Sequence, residues 1–164
     1  MKLTKKRKIP ENVELAIKEF VKACKEKFKD NLVSIVLFGS YARGNFKETS
    51  DVDLLVIVKY LPESVWERDK LIKETTWKIF LKYNEDLQPI LSTPEEIRMA
   101  MKNNNPIFFG MLLGYKILID QDNFFEKSLK EIVVPKIVKN PPLFVYGGKI
   151  WRLEKIAENL LKLG

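Results

Sequence analysis

Histidine is absent from this sequence, and cysteine occurs once, at Cys24. The first absence removes imidazole general bases, His-activated nucleophiles and His metal ligands. The second removes any internal disulfide. A lone Cys24 within a lysine-rich amphipathic stretch reads as a small half-buried residue. A metal bound here must therefore sit on carboxylates, which favours hard cations such as Mg²⁺ or Mn²⁺. Long apolar runs are lacking too. Nothing approaches the roughly 18 apolar residues of a membrane helix, and no apolar stretch follows the basic start as in a signal peptide. The expectation is a cytoplasmic protein with no membrane partner. Acidic residues are missing from the first eight positions, where Lys2, Lys5, Lys6, Arg7 and Lys8 supply five of the seven net positive charges. The body is thus nearly balanced, and residues 1–9 read as a basic flexible leader. Nucleic acid as a partner has little support, because no stacking motif or basic groove is visible in the body.

What remains is an ordinary globular composition. The chain of 164 residues is 46% hydrophobic, enough for one domain, expected over residues 10–164. Val13, Ala16, Ile17, Phe20, Val21 and Cys24 recur at helical spacing after Pro10. Leu32 to Phe38 is a short apolar run that reads as a buried strand, and Asp51 to Val58 is a second. Helical spacing returns from Val65 to Tyr83. Leu87 to Leu91 reads as a third strand, in which Pro89 predicts an edge position or a bulge. Ser92-Thr93-Pro94-Glu95-Glu96 has the composition of a helix start. Beyond it the sequence predicts helices to Lys102 and from Pro106 to Leu113, then a strand over Tyr115 to Ile119. A helix from Phe124 to Val138, interrupted near Pro135, comes next. The last helix is marked by Ile150, Leu153, Ile156, Ala157, Leu160 and Leu161, and its apolar face is a candidate docking surface. The layout is α/β: a core over about 10–96, with a mainly helical extension over 97–164 that packs back on the sheet.

The chemistry concentrates in residues 39–53. Gly39-Ser40 ends the first strand and opens a turn or short helix. Gly39 permits close backbone approach, and free amides with the Ser40 hydroxyl make a cradle for phosphate oxygens. Arg43, one turn on, adds positive charge. Asp51 and Asp53 lie at positions i and i+2 of a strand, so their side chains share one face while Val52 points to the other. Two adjacent carboxylates repel unless a cation neutralises them. A phosphate cradle beside a carboxylate pair suits phosphoryl or nucleotidyl transfer from a metal-bound triphosphate.

Residues 35–58, from Ile35-Val36-Leu37-Phe38-Gly39-Ser40 through Arg43-Gly44 to Ser50-Asp51-Val52-Asp53 and its apolar strand, resemble the polymerase-beta-type nucleotidyltransferase superfamily. The resemblance is to its small prokaryotic members, the minimal nucleotidyltransferases. It implies a small mixed sheet flanked by helices. It also implies transfer of a nucleoside monophosphate from a triphosphate, expected to be ATP, to a hydroxyl acceptor with release of pyrophosphate. Gly39, Ser40, Arg43 and Ser50 would contact the triphosphate, and Asp51 and Asp53 would hold the metal.

The family also uses a third carboxylate, as metal ligand and general base. Asp86 is the best candidate here and Glu85 the second. Alignment of the strand ends puts the usual position on Gln88, which cannot act as a base. Two readings therefore stand: an active enzyme, whose small size suits an antitoxin-like modifier of a helical partner protein, or a nucleotide- or partner-binding module of the same fold. Trp66, Trp77 and Trp151 read as core or interface aromatics rather than base-stacking platforms.

Overall fold

The computed structural model describes residues 6–146 and 148–162. Helix α1 (Glu11–Phe28) turns Val13, Ala16, Ile17, Phe20 and Cys24 inward at i, i+3, i+4, i+7 and i+11. Burial pushes the Cys24 thiol up to about 12, so it is an inert core residue. Strands β1 (Leu32–Phe38) and β2 (Val52–Val58) are buried on both faces almost throughout, which is why they read as unbroken apolar runs. Short helix α2 (Gly39–Arg43) follows β1 directly. Helix α3 (Val65–Tyr83) leads to β3 (Leu87–Ser92), and α4 (Pro94–Lys102) and α5 (Pro106–Met111) lead to β4 (Lys116–Asp120).

The four strands form one mixed sheet in the order β3-β2-β1-β4. β1 runs antiparallel to β2 and β4, and β2 runs parallel to β3. Because alternate residues point to opposite faces, the sheet has two cores. Leu54, Val56 and Val58 meet α1 and α3 on one face. Leu55 and Ile57 meet residues of α4, α5 and the helices beyond β4 on the other. The extension is thus integral: it supplies an edge strand and covers a full face.

Pro89 sits in the edge strand, as its lack of an N–H requires. The Val52 amide donates to the Asp86 carbonyl at 2.9 Å, so Asp86, Gln88 and Ile90 turn their backbone groups toward β2. Pro89, of opposite parity, turns its nitrogen to the outer edge, where no ladder bond is lost. Thr93 and Glu96 close a reciprocal capping box at the start of α4. The long helix after β4 runs as α6 (Phe124–Ser128), a wider π turn over Leu129–Val133, and α7 (Val134–Lys139). The π turn ends two residues before Pro135, which cannot donate to the preceding turn.

Four expectations change. The segment 144–151 is a hairpin, β5 (Phe144–Tyr146) with β6 (Lys149–Trp151), so the last helix, α8 (Leu153–Lys162), starts later than the apolar spacing suggests. Ile150 belongs to that hairpin and is exposed. The apolar face of α8 is not a docking surface, because Leu153 and Ala157 are fully buried in the second core. The leader, from Lys6 on, is not free either. Arg7 donates to the Phe46 carbonyl at 2.9 Å, lies over the Phe46 ring at 4.6 Å, and its amide donates to the Gly44 carbonyl. Residues 1–5 of the leader lie outside the described part. Trp66 and Trp77 are not core residues; they stand on the outer face of α3, 67% and 58% exposed. Among the described residues, no helix is long and apolar enough to cross a membrane.

Candidate active site

The site is built where β1 and β2 end side by side. Phe38, the last residue of β1, pairs with Asp53 of β2. The chain must then turn away at once into α2, and Gly39 does so with φ +74°, a conformation that favours glycine. A Cβ at Gly39 would overlap the Asp53 carboxylate and stand 3.0 Å from its Cγ. The missing side chain is what lets the first turn of α2 rest on Asp53. Tyr41 then anchors α2 by burying its ring against Phe46, centroids 4.5 Å apart and nearly parallel. Gly44 ends the helix at φ +79°, and its amide donates to the Ser40 carbonyl at 2.9 Å. Ser40 is half-buried on the exposed side of this turn.

Asp51 is exposed just before β2, and Asp53 is half-buried within it. Val52, between them, is fully buried on the opposite face. Burial raises the Asp53 carboxyl above the ordinary carboxylate range, the charge of Asp51 raises it further, and Arg43 partly offsets both. Arg43 reaches this position by lying along Gly114, where a Cβ would come within 3.0 Å of the Arg43 Cγ. Burial likewise raises the Tyr41 hydroxyl, and the nearby charges of Glu85 and Asp51 add to it against the opposing charge of Arg7.

An oxygen-only pair of like charges, one of them held above its usual protonation range, is a donor set that fits a hard divalent cation. Further acidic ligands do not gather around it. Among the described residues, no three acidic side chains converge within reach of one ion. Gln88 is the residue that pairs in register with Asp53. Its side-chain amide donates to the Asp86 carboxylate at 2.8 Å, so Asp86 lies one step along the same strand face. Glu85 accepts a long contact from Asn12 at 3.4 Å. Ser50 does not face the cradle freely, since its hydroxyl accepts from the Lys47 amide at 2.8 Å and closes the 47–50 turn.

The structure therefore brings Gly39, Arg43, Asp51 and Asp53 together, with Ser40 on the adjoining turn. It does not bring Asp86 or Glu85 into a three-carboxylate group. Two contributors escaped the sequence reading. Gly114 lies more than 60 residues from Asp53 in the chain and has no local signal. Arg7 looked like one cation of a solvated run.

A family model described as a nucleotidyltransferase domain matches residues 17–107, which include β1, α2, β2 and β3. A proposed protein adenylyltransferase of Methanocaldococcus jannaschii is 43% identical over 135 residues, which is 82% of this chain and 90% of that protein. A second proposed protein adenylyltransferase from the same organism is 45% identical over 75 residues, 46% of this chain and 74% of the relative. Among solved structures, a toxin–antitoxin crystallised with AMP-PNP superposes with a TM-score of 0.45 at 17% identity, covering 71% of this chain and 87% of that one. By the family match and by the identity with its archaeal relatives, the chain belongs to the nucleotidyltransferase domain family, of the polymerase-beta type.

Proposed function

We propose that the chain transfers the adenylyl group of ATP to a hydroxyl on an acceptor protein and releases pyrophosphate. The observation that carries this reading is the Asp51–Asp53 pair held against the side-chain-free turn at Gly39. The family supports the reaction class, and the description of the archaeal relatives as protein adenylyltransferases supports a protein acceptor.

Each residue has a role in that reaction. Asp51 and Asp53 would hold the divalent cation, Mg²⁺ or Mn²⁺. When bound, such a cation neutralises triphosphate charge and polarises the phosphate under attack. The Gly39–Ser40 turn approaches the phosphates closely, because no Cβ stands in the way. Arg43 adds positive charge beside Asp53. The acceptor oxygen attacks the α-phosphorus, the bond between α- and β-phosphates breaks, and pyrophosphate leaves. The acceptor proton passes to Asp86, whose carboxylate is oriented by the Gln88 amide. The antitoxin-like reading, in which the acceptor is a helical partner protein, fits the small size of the chain.

A second reading is favoured by one observation. Gln88, not a carboxylate, stands in register with Asp53, which suits a domain that binds nucleotide or a partner without turnover. Calorimetry with ATP tests the shared first step. Binding in Mg²⁺ that is lost in EDTA is the expected result; equal affinity in both removes the metal from the account.

A further inference from the structure

The Gly39–Ser40 turn and the carboxylate pair are joined by a stretch with little structure of its own. Helix α2 is five residues long, too short to be stable alone. Residues 44–50, which lead from it to Asp51, form neither helix nor strand. Several of their hydrogen bonds stay within the stretch. The Gly44 and Asn45 amides donate to the Ser40 carbonyl, and the Ser50 amide donates to the Lys47 carbonyl. The leader supplies bonds from outside. The Arg7 amide donates to the Gly44 carbonyl at 3.1 Å, and the Arg7 guanidinium donates to the Phe46 carbonyl at 2.9 Å. The same guanidinium lies 4.6 Å from the centre of the Phe46 ring, and that ring is stacked on Tyr41 of α2.

Gly44 admits the leader by lacking a side chain. A Cβ there would stand 3.0 Å from the Lys6 Cβ and 3.2 Å from the Arg7 nitrogen. Further along, Ile9 packs against the first core and ties the leader to the body of the domain. Arg7 makes no salt bridge among the described residues. Its guanidinium is engaged by a backbone carbonyl and a ring of the loop instead.

Resting on the adenylyl-transfer reading above, we propose that Arg7 is a positioning residue for that reaction: it clamps the 44–46 loop and so holds α2, with Gly39 and Ser40, in place beside Asp51 and Asp53. The clamp sits about midway in the chain between Ser40 and Asp51, so one set of contacts restrains both. Arg7 acts through Phe46 and Tyr41 rather than on the nucleotide. A loosened loop holds the binding-competent arrangement only part of the time, and the apparent affinity for nucleotide falls by that fraction. Lysine is no substitute, because an ammonium lacks the planar fork that bonds a carbonyl while lying over a ring.

The test compares wild type with Arg7→Ala and Arg7→Lys on the full chain. Arg7 is exposed, and thermal melts verify that both variants fold. Hydrogen–deuterium exchange without nucleotide should show the Gly44 and Asn45 amides exchanging faster in Arg7→Ala, while those of β1 and β2 keep their protection. By calorimetry, Mg²⁺-ATP affinity should fall about fivefold in Arg7→Ala and nearly as far in Arg7→Lys. The exchange readout needs no nucleotide. A wild type that binds no Mg²⁺-ATP would therefore sink the adenylyl-transfer reading and leave the clamp to be judged by exchange. Unchanged exchange at Gly44 and Asn45 in Arg7→Ala would overturn the clamp. So would exchange that rises evenly over the whole chain, which would make Arg7 a general stabiliser. Wild-type affinity in Arg7→Lys would overturn it too, by making Arg7 an attracting charge only.

Discussion

Gly39 and Asp53 occupy each other's space: the Asp53 carboxylate fills the position where a side chain at Gly39 would begin. The relationship joins the end of β1 to the face of β2 that carries the Asp53 carboxylate. It also explains why a glycine, and not merely a small residue, follows the first strand. Gly39→Ala meets two penalties, the positive φ and the overlap. Strained backbone of this kind costs roughly 1–3 kcal/mol, and the overlap must be relieved by moving Asp53. The variant should melt at lower temperature and lose Mg²⁺-dependent ATP binding, both readable on one sample by calorimetry.

Asp53→Asn should behave in the opposite way toward stability. Burial and Asp51 raise the Asp53 carboxyl in the folded chain. A raised folded pKa means that the native state binds its proton more tightly than the unfolded chain. Ionisation therefore costs stability, and the cost grows as pH climbs from the ordinary carboxylate range through the raised one. At neutral pH without divalent cation, Asp53→Asn should melt higher than wild type. The gain should vanish at pH values where Asp53 is protonated in both states. Unfolding of the variant at neutral pH would make Asp53 a structural residue.

Gln88 stands in register with Asp53 and its amide holds the Asp86 carboxylate, the base of the proposed reaction. A general base contributes roughly 10²–10⁴ in rate, so Asp86→Asn should slow single-turnover transfer within that range, while Glu85→Gln should do little. Gln88→Ala removes the donor that orients Asp86, and should lower the rate less than Asp86→Asn does. An inactive wild type rescued by Gln88→Asp would establish the binding-module reading.

The capping box of α4 carries an acid-sensitive contribution. Glu96 is held down to about 2, first by the Arg68 guanidinium, with bonds of 2.8 and 2.7 Å, and then by the Thr93 amide. A lowered folded pKa gives stability that is present above the ordinary value of 4.5 and lost as pH falls toward about 2. Glu96 is largely solvent-accessible, so screening limits the effect to no more than about 1 kcal/mol. Urea unfolding of Glu96→Gln against wild type should show that deficit at pH 7 and progressive convergence below pH 4.5.

The parts of the fold that the sequence made legible are those whose causes are local. The buried strands Leu32–Phe38 and Val52–Val58 announce themselves by apolar runs, α4 by its cap, and the edge position of β3 by Pro89. Gly39, Asp51 and Asp53 were readable because strand alternation and a tight turn fix them within fifteen residues. Other features depend on distant partners. Gly114 matters only because Arg43 lies against it. The place of Gln88 was reached only through the family resemblance, because it depends on β2 and β3 running parallel in that register. The 144–151 hairpin was hidden because Ile150 falls at a helical interval from Leu153, and spacing alone does not distinguish a strand end from a helix start.

The central claim, nucleotidyl rather than phosphoryl transfer, is tested most directly by the fate of the ATP phosphates. The protein would be incubated with Mg²⁺ and a protein extract as acceptor source, using ATP labelled at either the α- or the γ-phosphate. The account predicts that α-label enters the protein fraction with matching release of pyrophosphate, that γ-label does not, and that Asp53→Asn abolishes the transfer. Incorporation of γ-label, or α-label transfer undiminished in Asp53→Asn, would contradict it.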